Sequence, residues 1–579
     1  MEHKLKTKID ELFEFVREKG RASFEEISKK LGWESAVVER VCRVLEKEGF
    51  LEVHYPLNVI QPPTVSFKKE IEEEEEVEKP VEVKEKYTIS ADNVPAGVQI
   101  YFSREEKRPA YELILLEVSP YTRAFFSELK DEITREVPVD TQRMTDIERS
   151  LEMRGKFMRV ADEKLARLKL EKGQAEVLKG ILLHSMYGLG DIELLMADDN
   201  LEEIAINNSS APLAVYHRKF GWLKTNLRLA SEEEILNYAS QIGRKVGRQI
   251  TVLEPILDAH LLAGDRVCAT LYPISSKGNT LTIRRFARNP WTLTNLCYPN
   301  VKTISVETAA FLWQAIHYEM NLLIAGGTAS GKTSMLNALG ALIPTSQRVI
   351  TIEDTRELNL PTYQWNWIPL VTRRPNPEGL GEVGMLDLMI SSLRMRPDRI
   401  LLGEIRKRQE AEVLFEAMHT GHAVASTLHA DTSVQVMRRL IEPPIQIPIV
   451  ELEAIHLIVV QYRDRRTNIR RTSEVSEIIP GGGDERPTLN RVYGWRPRTD
   501  EFEKSKTPIR FIDELNLHTG MTTAEITDDQ KEKMSILKWM MKKKLDKIDD
   551  VGAVMKAYYT DREAVLRASE HNLDIGKIL

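Results

Sequence analysis

The chain opens on helical periodicity. Ile9, Leu12, Phe13 and Val16 fall at the i, i+3, i+4, i+7 spacing of an amphipathic helix. Ser23 with Glu26 three residues on is a capping-box signature, and Gly32 stands where that second helix would stop. Val37, Val38, Val41, Val44 and Leu45 stripe a third helix that stops near Gly49, and FLEVHY then alternates like a strand. This order predicts a winged-helix-like domain over residues 1–58. A DNA-reading third helix should carry a basic face, because phosphate contacts supply much of the affinity. Here Arg40, Arg43 and Lys47 are interleaved with Glu34, Glu39, Glu46 and Glu48, so a protein-docking or structural role is expected.

The pattern then breaks. Residues 59–86, with the glutamate run Glu72–Glu76, read as a solvated acidic linker. Residues 87–190 return to alternation (YELILLEV) followed by helical spacing, and predict a small α+β unit and helical segment. Residues 191–288 predict an α+β module: helix, turn and strand in DIELLMADDNLEEIAIN, a hairpin around Gly221, an amphipathic helix, and alternating strands in GDRVCATLYPIS and NTLTIRRF. Residues 289–302 read as a linker. From 303 to 505 apolar strands alternate with helices, the pattern of a parallel α/β sheet. Residues 506–579 are helical, and Met534, Leu537, Met540 and Met541 stripe one helix beside lysines. That stripe fits a packed terminal helix better than a membrane-surface face.

Composition narrows the class only a little. The 579 residues suggest roughly four domains. The net charge of -7 gives no global attraction to nucleic acid. Three dispersed cysteines (Cys42, Cys268, Cys297) fit a reducing compartment and provide no four-cysteine zinc site. The first residues carry charges throughout with no apolar signal core, and no stretch has the length of a membrane span. Membrane association is therefore expected to be peripheral or through a partner.

The chemistry centres on NLLIAGGTASGKT. Gly326, Gly327, Thr328, Ala329, Ser330, Gly331, Lys332 and Thr333 form G-x-x-x-x-G-K-T, a phosphate-binding loop between an apolar strand and a helix. Its backbone N–H groups cradle an anion, Lys332 reaches the β/γ-phosphates of ATP, and the Thr333 hydroxyl ligates Mg²⁺. Three later strands end on chemistry: RVITIED on Glu353, RILLGE on Glu404 and AVASTLHAD on His429. Strand ends at one edge of such a sheet are where ligands bind. Glu404 is expected to orient the Mg²⁺ shell, partly through water, although its strand ends in Gly-Glu and not Asp-Glu. Glu353 is expected to polarise the attacking water, and His429 to hydrogen-bond the γ-phosphate. Arg394 and Arg396 are candidates for positive charge across a subunit boundary, and Arg266 with the Arg284–Arg285 pair for reaching the phosphates from the preceding module.

Four segments, GGTASGKT, ITIEDTREL, SLRMRPDRILLGEIR and TGHAVASTLHAD, resemble in order the Walker A, aspartate, Walker B and histidine boxes of the type II/type IV secretion ATPase superfamily. The phrases from NLRLASEEE through GDRV to LTIRRF resemble that family's N-terminal domain. The resemblance spans about residues 191–477, and the missing zinc module points to the archaeal pilus and archaellum branch. It implies a RecA-like P-loop core, Mg²⁺-dependent ATP hydrolysis, a homohexamer, a polytopic platform protein in the membrane and, indirectly, pilin-like subunits. It also implies that Glu353 activates water, that Glu404 acts through Mg²⁺, and that Arg266 and Arg285 approach the nucleotide. The competing expectation is a nucleic-acid-translocating ATPase using the winged helix, which the charge balance disfavours. A third reading, a catalytically silent ATP-binding scaffold, is set against the presence of each expected carboxylate.

Overall fold

The computed structural model describes residues 4–56, 62–68, 82–103, 107–136, 147–261, 264–286, 289–375, 379–481 and 486–577. The glutamate run of the acidic linker lies outside the described residues. The chain divides into two compact units, Met1–Arg285 and Phe286–Leu579.

The first unit begins with α1 (Lys8–Lys19), β1 (Arg21–Ser23), α2 (Phe24–Leu31), α3 (Ser35–Lys47), β2 (Leu51–His54) and β3 (Thr64–Phe67). The strands form an antiparallel sheet in the order β1-β3-β2. The Ser23–Glu26 capping box closes reciprocally: Ser23 Oγ accepts the Glu26 N–H (3.3 Å) and Glu26 Oε2 the Ser23 N–H (3.0 Å). Ile9, Leu12, Phe13, Val16, Val38, Val41 and Leu45 are buried in one core.

That core does not end with the winged-helix elements. It continues into α4 (Pro120–Glu136), α5 (Ile147–Ala166) and α6 (Lys172–Met186) through Phe125, Leu129, Phe157, Leu165 and Leu182. Helix α4 lies against α3. Arg40 pairs with Glu132 (2.5 Å) and Lys47 with Glu128 (3.3 Å), while Arg43 pairs with Glu39 on its own helix (2.7 Å).

Strands β4 (Val83–Ala91), β5 (Val94–Ser103) and β6 (Arg108–Ile114) join a different structure. They extend the sheet built by β7 (Leu201–Ile206), β8 (Ala214–His217), β9 (Gly221–Thr225), β10 (Ile256–His260), β11 (Arg266–Thr270) and β12 (Thr280–Arg284). The nine strands run β10-β11-β12-β7-β8-β9-β6-β5-β4. Residues 87–190, expected as a small α+β unit and helical segment, are shared: the strands belong to this sheet and the helices to the core of the N-terminal elements. The joint is a parallel pairing of β9 with β6 (Lys224↔Ala110), a long-range contact that local periodicity does not encode. The α7 helix (Ile192–Ala197), which precedes α8 (Glu232–Lys245) in this module, ends beside Asp198, whose Oδ2 accepts both the Tyr87 and Tyr111 hydroxyls (2.6 and 2.9 Å).

The second unit begins where a linker was expected. Leu293–Cys297 form a short helix, α9, with Leu293, Leu296 and Cys297 in the core. Helix α10 (Val306–His317) leads to β13 (Leu322–Gly326), α11 (Lys332–Gly340), β14 (Val349–Glu353), β15 (Trp367–Val371), α12 (Met385–Ser392), β16 (Arg399–Leu402), α13 (Arg408–His419), β17 (Ala423–Leu428), α14 (Ser433–Ile441) and β18 (Leu457–Arg463). These six strands pair in parallel. Strands β19 (Arg470–Ile479), β20 (Thr488–Arg496) and β21 (Glu501–Lys504) continue the sheet antiparallel, in the order β15-β14-β16-β17-β13-β18-β19-β20-β21. The P-loop strand β13 sits between β17 and β18, and β16 lies one strand further out. That is the RecA-like arrangement. The uninterrupted apolar run of β13 is explained by two covered faces: Leu322 and Ile324 enter one core, Leu323 and Ala325 the other.

The C-terminal helices α15 (Arg510–Thr519), α16 (Thr523–Lys543), α17 (Ile548–Thr560) and α18 (Arg562–Glu570) cover one of those faces, so they are part of this unit. The stripe on α16 packs inward: Leu537 and Met540 are buried, and Met534 and Met541 pack against the same core. Among the described residues no helix is long and apolar enough to cross a membrane.

Inside this face lies a buried ion pair, Lys533 Nζ to Asp529 Oδ1 at 2.6 Å. Gln314 Nε2 donates to the other Asp529 oxygen (2.8 Å), and the ammonium stands 5.3–5.7 Å from the ring centres of Tyr558, Trp313 and Tyr318. Breaking such a pair leaves an uncompensated buried charge. Lys533→Ala should therefore destabilise the second unit by about 3–5 kcal/mol, and Lys533→Leu with Asp529→Leu should recover most of it, as read by chemical denaturation.

Candidate functional site

The end of β13 is shaped by its glycines. Gly326 has φ 153°, and a Cβ there would lie 2.3 Å from Ser330 Oγ and 2.4 Å from the Gln461 carbonyl oxygen. Gly331, at φ 97°, is the N-cap of α11. The turn therefore aims the N-terminus of α11, with its unpaired N–H groups, into the space an anion would fill.

Three side chains hold the loop in shape. Lys332 Nζ donates to the carbonyls of Gly326 (3.1 Å) and Gly327 (3.2 Å). Thr328 Oγ1 meets His429 Nε2, from the end of β17, at 3.1 Å. Arg470 Nε, at the start of β19, donates to the Ala329 carbonyl (3.1 Å). Burial lowers the Lys332 pKa, and the Glu404 carboxylate is the strongest influence raising it again.

Strand register delivers the carboxylates. Ala325 lies opposite Leu428, Leu402 opposite Ser426, and Ile352 opposite Leu402, so the tips of β13, β17, β16 and β14 fall on one edge. Glu353 is 2% exposed, and its Oε1 accepts the N–H groups of Glu357 (2.9 Å) and Leu358 (3.0 Å). Burial pushes its carboxyl up to about 7, against the pull of those two donors. Among the described residues Oε2 has no hydrogen bond. Gly403 explains the Gly-Glu ending of the Walker-B-like strand. A Cβ there would stand 3.4 Å from Glu353 Cγ, so an aspartate would set a second carboxylate against Glu353.

Glu404 is anchored by Arg406, a residue the sequence reading passed over. Arg406 Nε and the guanidinium's outer nitrogen both lie 2.8 Å from Glu404 Oε2, and its other arm bonds Asp354 at the tip of β14. One cation thus ties two strand tips. Arg470 was also missed. Its partner lies across an antiparallel return, while Arg406 could have been suspected because i and i+2 share a side in extended chain.

The remaining arginines divide. Arg394 lies in a single turn, Leu393–Met395, and Arg396 follows at φ 52°. Both are exposed and make no hydrogen bond or ion pair among the described residues. In the first unit, Arg266 starts β11 and grips Asp258 on β10 with two hydrogen bonds (2.9 and 3.2 Å). The Arg285 side chain is 4% exposed. Its guanidinium donates to the Asp198 and Leu201 carbonyls, the latter at 3.4 Å, so it is engaged by the first unit's own backbone.

A protein-family model described as Type II/IV secretion system protein matches residues 258–463. The chain is similar to an uncharacterized protein of Methanocaldococcus jannaschii, 33% identical over 408 residues, covering 68% of this chain and 71% of that one. It is 30% identical over 286 residues to the type IV secretion system protein VirB11 of Bartonella henselae, covering 44% of this chain and 78% of the relative. Among solved structures it is similar to the VirB11 ATPase of the Brucella suis type IV secretion system, at 25% identity, 48% coverage of this chain and 90% of that one, with a TM-score of 0.26.

Two substitutions probe the geometry. Gly326→Ala should abolish nucleotide binding while the second unit stays folded, read by a fluorescent ADP analogue and circular dichroism. Arg406→Ala should release Glu404 and raise the Mg²⁺ concentration needed for half-maximal hydrolysis by about tenfold, with nucleotide affinity in the absence of Mg²⁺ little changed.

Proposed function

The chain belongs to the type II/type IV secretion ATPase superfamily, and on that premise we propose that it is an ATP-hydrolysing motor of a pilus-assembly, archaellum-like or secretion machine. It works as a homohexamer on the cytoplasmic face of a membrane, where domain closure in the ring drives a polytopic platform protein and, through it, pilin-like or secreted subunits. What supports the reading is that the strands followed by Glu404 and His429 and the strand ending in Glu353 run in parallel register beside the P-loop strand, with His429 against Thr328 and the Glu404 charge acting on Lys332.

The chemistry follows from these groups. The α11 N-terminus and the loop N–H groups bind the triphosphate, and Lys332 leaves its two carbonyls for the β/γ-phosphates. The Thr333 hydroxyl and Glu404 carboxylate are hard oxygen donors suited to Mg²⁺, which when bound neutralises phosphate charge. Glu353 accepts a proton from water as that oxygen bonds to the γ-phosphorus, and the bond to the bridging oxygen breaks with its electrons on ADP. A carboxyl lifted to about 7 is a far stronger base than an ordinary one and still largely ionised just above neutrality. His429, coupled to Thr328, stands where it reports on the γ-phosphate. Arg394 and Arg396 are exposed and available to a neighbouring subunit.

The nucleic-acid reading is weakened by the winged helix itself. On α3, Arg40 and Lys47 face glutamates of α4 and Arg43 faces Glu39, so the cations of the helix that would enter a groove are matched. Anionic vesicles should raise ATPase turnover more than DNA or RNA does, and strong stimulation by nucleic acid with none by vesicles would reverse the assignment.

Glu353→Gln should keep ATP affinity and lower kcat by at least about a hundredfold. In the unsubstituted protein kcat should rise with pH along a limb centred near 7. Stability should move the other way. The folded pKa is above the usual 4.5, so this group's contribution is complete below 4.5 and is lost as pH rises through about 7. Denaturation midpoints of the two proteins measured between pH 5 and pH 8 should diverge in that sense.

A further inference from the structure

On the sheet edge away from the nucleotide, the second unit carries an apolar groove. Strand β19 runs antiparallel to β18 and ends level with its start (Leu457↔Glu477), while the P-loop follows the opposite end of the neighbouring β13. The groove, about 260 Å³, lies between Ile479 and Pro480 at the end of β19 and the first turns of α15. Ile509, the residue that precedes that helix, and Asp513 and Leu517 within it recur at i, i+4, i+8, so one side presents apolar, acidic, apolar. Ile509 is 54% and Leu517 77% exposed, more than large apolar side chains in this unit's cores by an order of magnitude.

The charge at the rim is acidic. Asp513 is exposed, and Glu514 is held well below the usual carboxylate range, chiefly by the His456 ring 3.7 Å away, with the Arg510 charge adding to it. Glu453 stands alongside, its carboxylate accepting the Gly481 N–H (3.0 Å). Among the described residues that line the groove, the one cation is Arg510. It is turned inward, donating to the carbonyls of Ile455 (2.9 Å), Ile478 (2.9 Å) and Glu453 (2.7 Å), with Nε 3.4 Å from Glu514. His518 also faces Glu514 (3.1 Å). Two exposed aliphatic side chains spaced two helical turns apart, with carboxylates between and beside them, complement an apolar stripe flanked by cations.

We propose that this groove docks a short amphipathic polypeptide segment whose apolar face is flanked by lysine or arginine. Segments of that kind are what a membrane protein presents at its cytoplasmic face. The inference therefore extends the motor reading by naming the surface through which the platform is held. Because the groove lies on the edge opposite the phosphate loop, docking leaves the nucleotide site open.

The test uses the full chain without nucleotide, so it is independent of whether ATP is hydrolysed. A fluorescently labelled synthetic helix of leucine and lysine, with leucines at i, i+4, i+8, is titrated by anisotropy beside the same helix carrying glutamate for lysine. The lysine helix should bind saturably and the glutamate helix at least about tenfold more weakly. Leu517→Asp and Asp513→Lys, both at exposed positions, should each weaken binding about tenfold with basal ATPase activity and unfolding midpoint unchanged. Equal binding of the two helices, or unaltered binding by both variants, overturns the proposal. So does a dimer or higher oligomer in solution that Leu517→Asp alone disrupts, which would assign the groove to a second copy. Binding to anionic vesicles that the two variants abolish, with none to the lysine helix, overturns it as well.

Discussion

The active edge depends on parallel pairing of β13 with β17 and β18. A parallel strand delivers its carboxyl end to the same edge as its neighbours, and the crossovers, through a helix except across residues 354–366, return to begin again at the far edge. About seventy to a hundred residues separate the phosphate loop from Glu404 and His429 along the chain, but Ala325 and Leu428 are directly opposed. Shifting one of these registers by two residues would move a tip by roughly 7 Å and undo the site without altering any motif.

Much of this was legible because the chemistry is local to short phrases. A phosphate loop must place its glycines, its lysine and its hydroxyl within a single turn, so the sequence carries the whole device. Apolar runs ending in Glu353, Glu404 and His429 were readable for the same reason: a strand buried on both faces is continuous, and the polar residue that follows marks its end. The winged-helix elements announced themselves through caps, and the Ser23–Glu26 pair closes as its spacing implies.

What was not legible lies in pairings between distant segments. The strands of residues 83–114 carry ordinary alternation, and nothing in it says that β6 will lie beside β9. Residues 289–302 look like a linker because Asn, Pro and Thr dominate their start. Thr292 and Asn295 nevertheless cap a helix whose apolar residues are buried, with Asn standing in for the usual Glu or Gln of a capping box. Arg285 shows the opposite difficulty: its motif suggested a reach toward phosphate, while its guanidinium is enclosed by carbonyls of its own unit. Arg406 and Arg470 escaped notice because a solvated arginine and an arginine that joins two strand tips look alike in sequence.

The loop's supports divide into fixed and movable ones, and that division gives the site its logic. Arg470 and His429 hold the Ala329 carbonyl and the Thr328 hydroxyl from outside, so phosphate need not displace them. Lys332 holds the Gly326 and Gly327 carbonyls from inside, where the phosphates must go. Its ammonium is half-buried, and burial already works against its charge, with Glu404 as the main compensation. On the proposed reading, a bound triphosphate would take over the counter-charge that Glu404 supplies, leaving that carboxylate as a hard oxygen donor suited to Mg²⁺. Arg406 then decides where Glu404 goes, since it alone ties that carboxylate to Asp354 on the neighbouring strand tip. The proposed mechanism thus couples nucleotide binding and carboxylate positioning through two cations, one inside the loop and one outside it, and assigns the water's proton to Glu353, whose burial raises its basicity.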